Sequence, residues 1–285
     1  MKFCIVVLAV LLAPVLAAQQ SSVVPFHLVN GWAIVVEGTL AGIPNCKMMI
    51  DTGAVPSALN SKFLKQLGLA GSFEKISAMN RSVDAQRLRV PEVRIGPVSA
   101  EALDMLAVDL RRIEQSLDTR IDAIIGLDFL ARRNFRLDYR YKKLVFDNKN
   151  DVDGASAIAF EMQHDAGGAY ILIPLKSGSQ QLKMLLDTGS KDLTLFDRRL
   201  GGMRQRWRVL GKDFNTSAGG RDPLVMVEVD SVSVGPVFRR KQKAFVLTMS
   251  EENMRDFDGI LGPAALGAIA VAFDFDRHIV SFETR

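Results

Sequence analysis

Two short stretches of this chain carry a carboxylate where chemistry is possible: Asp51-Thr52-Gly53 and Asp187-Thr188-Gly189. The numbering offset between the copies, from 51 to 187, is 136. Each follows an apolar run, Met48-Met49-Ile50 in one case and Met184-Leu185-Leu186 in the other. A carboxylate at the end of a buried strand is costly to keep, and the glycine after it permits a tight turn. If the two carboxyls meet, they cannot both ionise cheaply and must share one proton. The ionised partner could then take a proton from water, while the protonated partner polarises a carbonyl. That pair would hydrolyse an amide directly, with no covalent intermediate, and would titrate as a unit.

The elements around these stretches repeat in register. Gly262 stands at the same offset from Gly126, as do Asp274 from Asp138, Lys183-Met184 from Lys47-Met48, and Gly167 from Gly31. Gly235-Pro236-Val237 follows Gly96-Pro97-Val98 at a slightly larger offset, so a short insertion is later compensated. A period this long implies two duplicated domain-sized lobes rather than a solenoid. Residues 23–50 read as strands broken at Asn30-Gly31 and at Ala41–Asn45, and residues 70–118 as short strands and turns. Leu59, Phe63, Leu64 and Leu67 predict a helix over 56–67 ending at Gly68. Ile121–Leu130 begins as a buried strand and turns helical through Arg133. Phe135–Tyr139 and Lys143–Phe146 form a hairpin, and polar Asn148–Ala155 is the linker. The expected fold is therefore all-β, two similar lobes with a few short helices about an approximate two-fold axis that brings Asp51 and Asp187 together.

The chain has 285 residues, 48% of them hydrophobic and 24% charged, with a formal charge of +4. No basic stripe interleaved with aromatics marks a nucleic-acid surface. Residues 1–18 combine Lys2, an apolar Phe3–Leu12 and the small-residue end Pro14–Ala18. This is the layout of a secretory signal peptide cut after Ala17 or Ala18, too short and too interrupted by Pro14 for a stable membrane span. The predicted domains are thus 1–18 (signal peptide), 19–151 (first lobe) and 152–285 (second lobe), in a protein exported to the periplasm or secreted. Strand-like sequence begins soon after the cleavage point, so no long pro-segment is expected. Cleavage leaves Cys46 alone, with no internal disulfide partner, and it reads as a small buried apolar residue.

These motifs resemble the aspartic proteases of the pepsin and retropepsin clan. Asp51-Thr52-Gly53-Ala54 and Asp187-Thr188-Gly189-Ser190 match the active-site signature. Ile124-Ile125-Gly126 and Ile260-Leu261-Gly262, whose glycines stand equally far from their aspartates, match the apolar-apolar-Gly element behind each active-site loop. Asp122–Leu130 in particular is similar to retropepsin-like secreted proteins of bacteria, and the resemblance runs over roughly 23–285. It implies two retropepsin-like lobes, a catalytic dyad of Asp51 and Asp187, and no cofactor or metal. It further implies cross-bonds between lobes from Thr52 and Thr188, loop bending at Gly53 and Gly189, and packing at Gly126 and Gly262. A Ser190 hydroxyl donating to Asp187 would make Asp187 the more easily ionised member, with the proton more often on Asp51. The family's flaps correspond to Ala78–Asp84 and Thr216–Arg221, with Asn80 and Arg81 in one tip and Gly219 and Gly220 in the other. The first of these has no glycine, and residues 71–90 lack the tyrosine of pepsin-like flaps.

The function implied is an endopeptidase acting on peptide or protein substrates. The alternative is a peptide-binding protein that keeps the fold without the activity. Tandem lobes make a monomer with an internal pseudo-two-fold the simpler arrangement, against pairing of lobes from two chains. Asp122, Asp138, Asp258 and Asp274 read as turn caps or solvent-facing groups. His27 and His164 miss the register of the repeat by one, and without a third ligand they make no metal site; His278 falls in a polar turn. The basic runs Arg204–Arg208 and Arg239–Lys243 read as solvated faces. Asn80-Arg81-Ser82 and Asn215-Thr216-Ser217 fit the glycosylation sequon, which matters only in a eukaryotic source.

Overall fold

The two Asp-Thr-Gly loops hang from two strands whose apolar character follows from what flanks them. A computed structural model describes residues 23–146, 156–165, 168–201, 207–253 and 256–284. In the first lobe, strand Ile43–Ile50 pairs antiparallel with Ala33–Leu40 and parallel with Ala123–Ile125. Met48, Met49 and Ile50 are buried, which is why this stretch reads as an apolar run instead of alternating. In the second lobe Gln180–Leu186 takes the same place between Gly168–Ser177 and Gly259–Leu261. Parallel neighbours need a long crossover, and this explains the wide, equal spacing from each aspartate to its apolar-apolar-Gly element. A further short strand completes each motif. Ala58–Asn60 runs antiparallel to Ala123–Ile125 and parallel to Val98–Val108. Leu193–Phe196 does the same with Gly259–Leu261 and Val237–Leu247.

The helix expected over 56–67 is mostly something else. Leu59 sits on the strand Ala58–Asn60, followed by one 3-10 turn over Ser61–Phe63 and a short helix over Leu64–Leu67. Asn60 starts the turn by accepting from the Lys62 N–H, and Gly68 ends the helix at φ 61°. Parallel pairing with Val98–Val108 outweighs local helical spacing here. Residues 70–118 also differ from the short strands expected. They form the long strands Arg81–Ile95 and Val98–Val108 and a helix, Arg111–Leu117.

Both lobes are all-β, and a shared layer joins them. Phe135–Asp138 pairs with Lys143–Phe146 on one side and with Ala268–Asp274 of the second lobe on the other. The Phe135 and Phe273 rings stack across this junction at 4.6 Å. One large apolar core runs continuously through both lobes beneath this layer. Two smaller apolar clusters, one per lobe, lie apart from it, built around Met49 and Ile124 in the first and Leu185 and Ile260 in the second. The linker over 148–155, the signal segment, Gly167 and most of the Arg204–Arg208 run lie outside the described residues.

Candidate active site

Each aspartate is delivered by its strand and held by the same set of bonds. The Asp51 N–H donates to Ile125 O and the Asp187 N–H to Leu261 O, both at 3.0 Å. The Gly53 N–H donates to Asp51 Oδ1 at 2.9 Å, and the Gly189 N–H to Asp187 Oδ1 at 2.7 Å. Each turn closes on the next residue, with the Ala54 N–H on Asp51 O and the Ser190 N–H on Asp187 O at 3.2 Å. Both glycines are required by space. A Cβ on Gly53 would lie 2.6 Å from Asp187 Cγ, and one on Gly189 would collide with the Asp51 carboxyl. Each carboxyl therefore lies against the opposite loop.

Thr52 and Thr188, both buried, tie the loops together. The Thr52 N–H donates to Thr188 Oγ1 and the Thr188 N–H to Thr52 Oγ1, each at 3.0 Å. The hydroxyls then donate onward, Thr52 Oγ1 to Leu186 O at 2.8 Å and Thr188 Oγ1 to Ile50 O at 3.1 Å.

Burial pushes the pKa of both aspartates above the ordinary carboxylate range. The charge of Asp51 adds to the upward push on Asp187, and the two carboxyls titrate as one unit. Among the described residues, no hydrogen bond runs from the Ser190 hydroxyl to Asp187, and its backbone N–H bonds the aspartate's main chain instead.

Behind the loops, Gly126 and Gly262 allow contacts no side chain would permit. A Cβ on Gly126 would overlap Ala54 O, and one on Gly262 would overlap Ser190 O. The first lobe adds a brace that sequence reasoning missed. Buried Ser57 donates from Oγ to Asp128 Oδ1 at 2.5 Å and accepts from the Gly126 N–H at 2.9 Å, while its own N–H donates to Asp128 Oδ2 at 2.9 Å. Burial raises the Asp128 pKa, and the bonds from Ser57 oppose that shift. The equivalent positions in the second copy of the repeat are Leu193 and Ala264, so the brace has no twin and the repeat could not signal it.

Asp122 does not face solvent. It is fully buried, and its Oδ2 accepts from the Lys47 N–H at 2.9 Å while Arg120 Nε donates to Oδ1 at 2.7 Å. Asp258 does the same for the Lys183 N–H at 2.7 Å. Asp274 is buried too, bonded to Arg277, whereas Asp138 caps a turn at the Tyr141 N–H. Cys46 is buried and donates to Ile43 O. His27, His164 and His278 are exposed.

Two hairpins roof the site: Ser72–Ala78 with Arg81–Ile95, and Arg208–Ser217 with Gly220–Val234. Their tips meet. Arg81 Nη2 donates to Arg221 O at 2.9 Å, and Arg81 Nε lies 3.4 Å from buried Asp222. Gly219 lies so close to Arg81 that a Cβ there would come within 2.8 Å of the arginine's own, and Gly220 turns at φ 142° against the same side chain. Asn80 reaches the second lobe, donating to Thr248 O at 2.7 Å and accepting from the Ser250 N–H at 3.0 Å. The first tip has no glycine, so Met79 takes the left-handed conformation at φ 56° and packs on the second lobe's apolar cluster. Below the roof, a cleft of about 520 Å³ has both aspartates in its wall. Among the described residues, no group of three or more His, Cys, Asp or Glu side chains could hold a metal ion.

Residues 36–129 match the family model described as aspartyl protease. No curated protein matches the chain. The match supports an aspartic-protease family. It spans Asp51, the Thr52-Gly53-Ala54 turn, the first hairpin and Gly126. The first-lobe elements that this match spans have a geometric counterpart in the second, bond for bond at the two Asp-Thr-Gly loops.

Proposed function

We propose that this chain is an exported aspartic endopeptidase in which Asp51 and Asp187 form one catalytic dyad. The observation that carries this reading is the close packing of each carboxyl against the opposite Asp-Thr-Gly loop, with both in the wall of one roofed cleft. The single shared proton divides the work. The ionised carboxyl takes a proton from a water held between them, and the resulting hydroxide attacks the amide carbon. The protonated carboxyl hydrogen-bonds the carbonyl oxygen and stabilises its developing charge. Collapse of the tetrahedral intermediate breaks the C–N bond, and the departing amine takes up the proton. Thr52, Thr188, Gly53 and Gly189 hold the carboxyls in register, and the two hairpins close over an extended substrate.

In this reading residues 1–18 are removed on export, and residues 19–151 and 152–285 act as the two lobes of a monomer. Hydrolysis of peptides from about pH 3 to 7, abolished by both Asp51→Asn and Asp187→Asn, is the test. Peptide binding with no cleavage sensitive to those changes would leave a non-catalytic peptide-binding protein in its place.

A further inference from the structure

The two halves of the cleft share an apolar lining, Leu106 and Ile124 in the first and Phe245 and Ile260 in the second, but differ in chemistry where residues 55–58 and 191–194 border it. Val55, Pro56 and Ala58 line it on the first-lobe side, and their repeat equivalents Lys191, Asp192 and Thr194 line it on the other. The apolar wall of the first half continues through Trp32, Leu106 and Ile113. The hairpins repeat the contrast, since Ile76 faces the cleft from the first and Asp213 and Phe214 from the second.

Asp192 is the unusual member. Its carboxylate is half-buried, and among the described residues it has neither a hydrogen bond nor an ion pair. Burial pushes its pKa up and Asp213 adds to that, while Lys191 and Lys243 pull it down. Neither lysine pairs with it; Lys243 lies over the Phe245 ring, 4.7 Å from its centroid, and Lys191 is exposed. A partly desolvated carboxylate without a partner is costly, and an incoming cation relieves the cost. Phe214, 52% exposed beside Asp213, offers an apolar surface for the aliphatic stem of such a cation.

We propose that the second-lobe half of the cleft is a subsite for a lysine or arginine side chain of the substrate, received by Asp192 and Asp213, and that the first-lobe half takes an apolar side chain. The preferred substrate is then an extended polypeptide with an apolar residue on one side of the cut and a basic one on the other. For its effect on cleavage, the inference rests on the endopeptidase reading.

The test uses the full mature chain with a randomised peptide mixture, cut sites being read by mass spectrometry. In parallel, binding is measured for two uncleavable peptides that differ only by Lys or Leu at the enriched position, or at each position in turn when nothing is cut. Cuts enriched for Lys or Arg at one position are expected. Asp192→Asn should lower that preference about tenfold, and Asp213→Asn should lower it less. Lys191→Met should strengthen the preference. Cleavage without basic enrichment, or enrichment that survives both aspartate changes, overturns the subsite and leaves the endopeptidase standing. No cleavage, with Lys peptide bound about tenfold more tightly and that margin lost in Asp192→Asn, overturns the endopeptidase and keeps the subsite. No cleavage and equal binding overturns both.

Discussion

Thr52 and Thr188 exchange hydrogen bonds in both directions, each N–H donating to the other's hydroxyl at 3.0 Å, and each hydroxyl donating on to the opposite strand. All four groups are buried at the junction of the lobes, so neither threonine can lose its hydroxyl without leaving a backbone N–H and a carbonyl unpaired. Thr52→Ala or Thr188→Ala should each destabilise the fold by about 1–3 kcal/mol, measured by urea unfolding. The double variant should fall short of the sum, because both changes break the same network. Thr→Ser at either position should recover most of the loss.

The dyad makes stability depend on pH in a definite direction. Burial raises the native pKa of both carboxyls above the ordinary carboxylate range, so the native state holds a proton that the unfolded chain has released. Their contribution is therefore full below the unfolded value and is lost as pH rises through the raised native one. Asp187→Asn should melt at a higher temperature than the parent at pH 7. That advantage should shrink as pH falls towards the unfolded carboxylate value.

Ser190 gives the second loop its one difference from Ala54 next to the dyad, yet its hydroxyl makes no bond to Asp187 among the described residues. Ser190→Ala should leave the pH profile of peptide hydrolysis unmoved. A displaced acidic limb would show that the hydroxyl bonds the carboxylate once substrate is present.

Ser57 joins Asp128 to the Gly126 N–H beneath the first loop only. Ser57→Ala removes a donor from a partly buried carboxylate and an acceptor from a buried N–H. A loss of about 2–3 kcal/mol in thermal or urea unfolding is expected, larger than for an exposed serine.

The roof is held shut by side chains of the first tip. Asn80→Ala removes both bonds to the 248–250 segment, and Arg81→Ala removes the contacts to Arg221 and Asp222. Either change should speed amide hydrogen exchange over 78–84 and 216–222 while the strands beneath the dyad stay protected.

Much of this molecule is written locally and twice. Apolar runs that end in Asp-Thr-Gly, and the apolar-apolar-Gly element at a constant distance from each, are short-range features. Duplication made them legible as symmetry mates and as the all-β pattern. Leu59 shows where local reading stops: its spacing fits a helix, but pairing with Val98–Val108 places it on a strand. The tertiary structure alone decided what depends on contacts between distant segments. It set the Ser57–Asp128 brace, whose counterparts are Leu193 and Ala264, and the burial of Asp122 on the Lys47 amide. It also closed the roof through Asn80 and Arg81. Most of all it brought the pair together. Asp51 and Asp187 sit in identical tripeptides, and burial lifts the pKa of both while the charge of Asp51 acts on Asp187 through the space between them, which no spacing along the chain encodes.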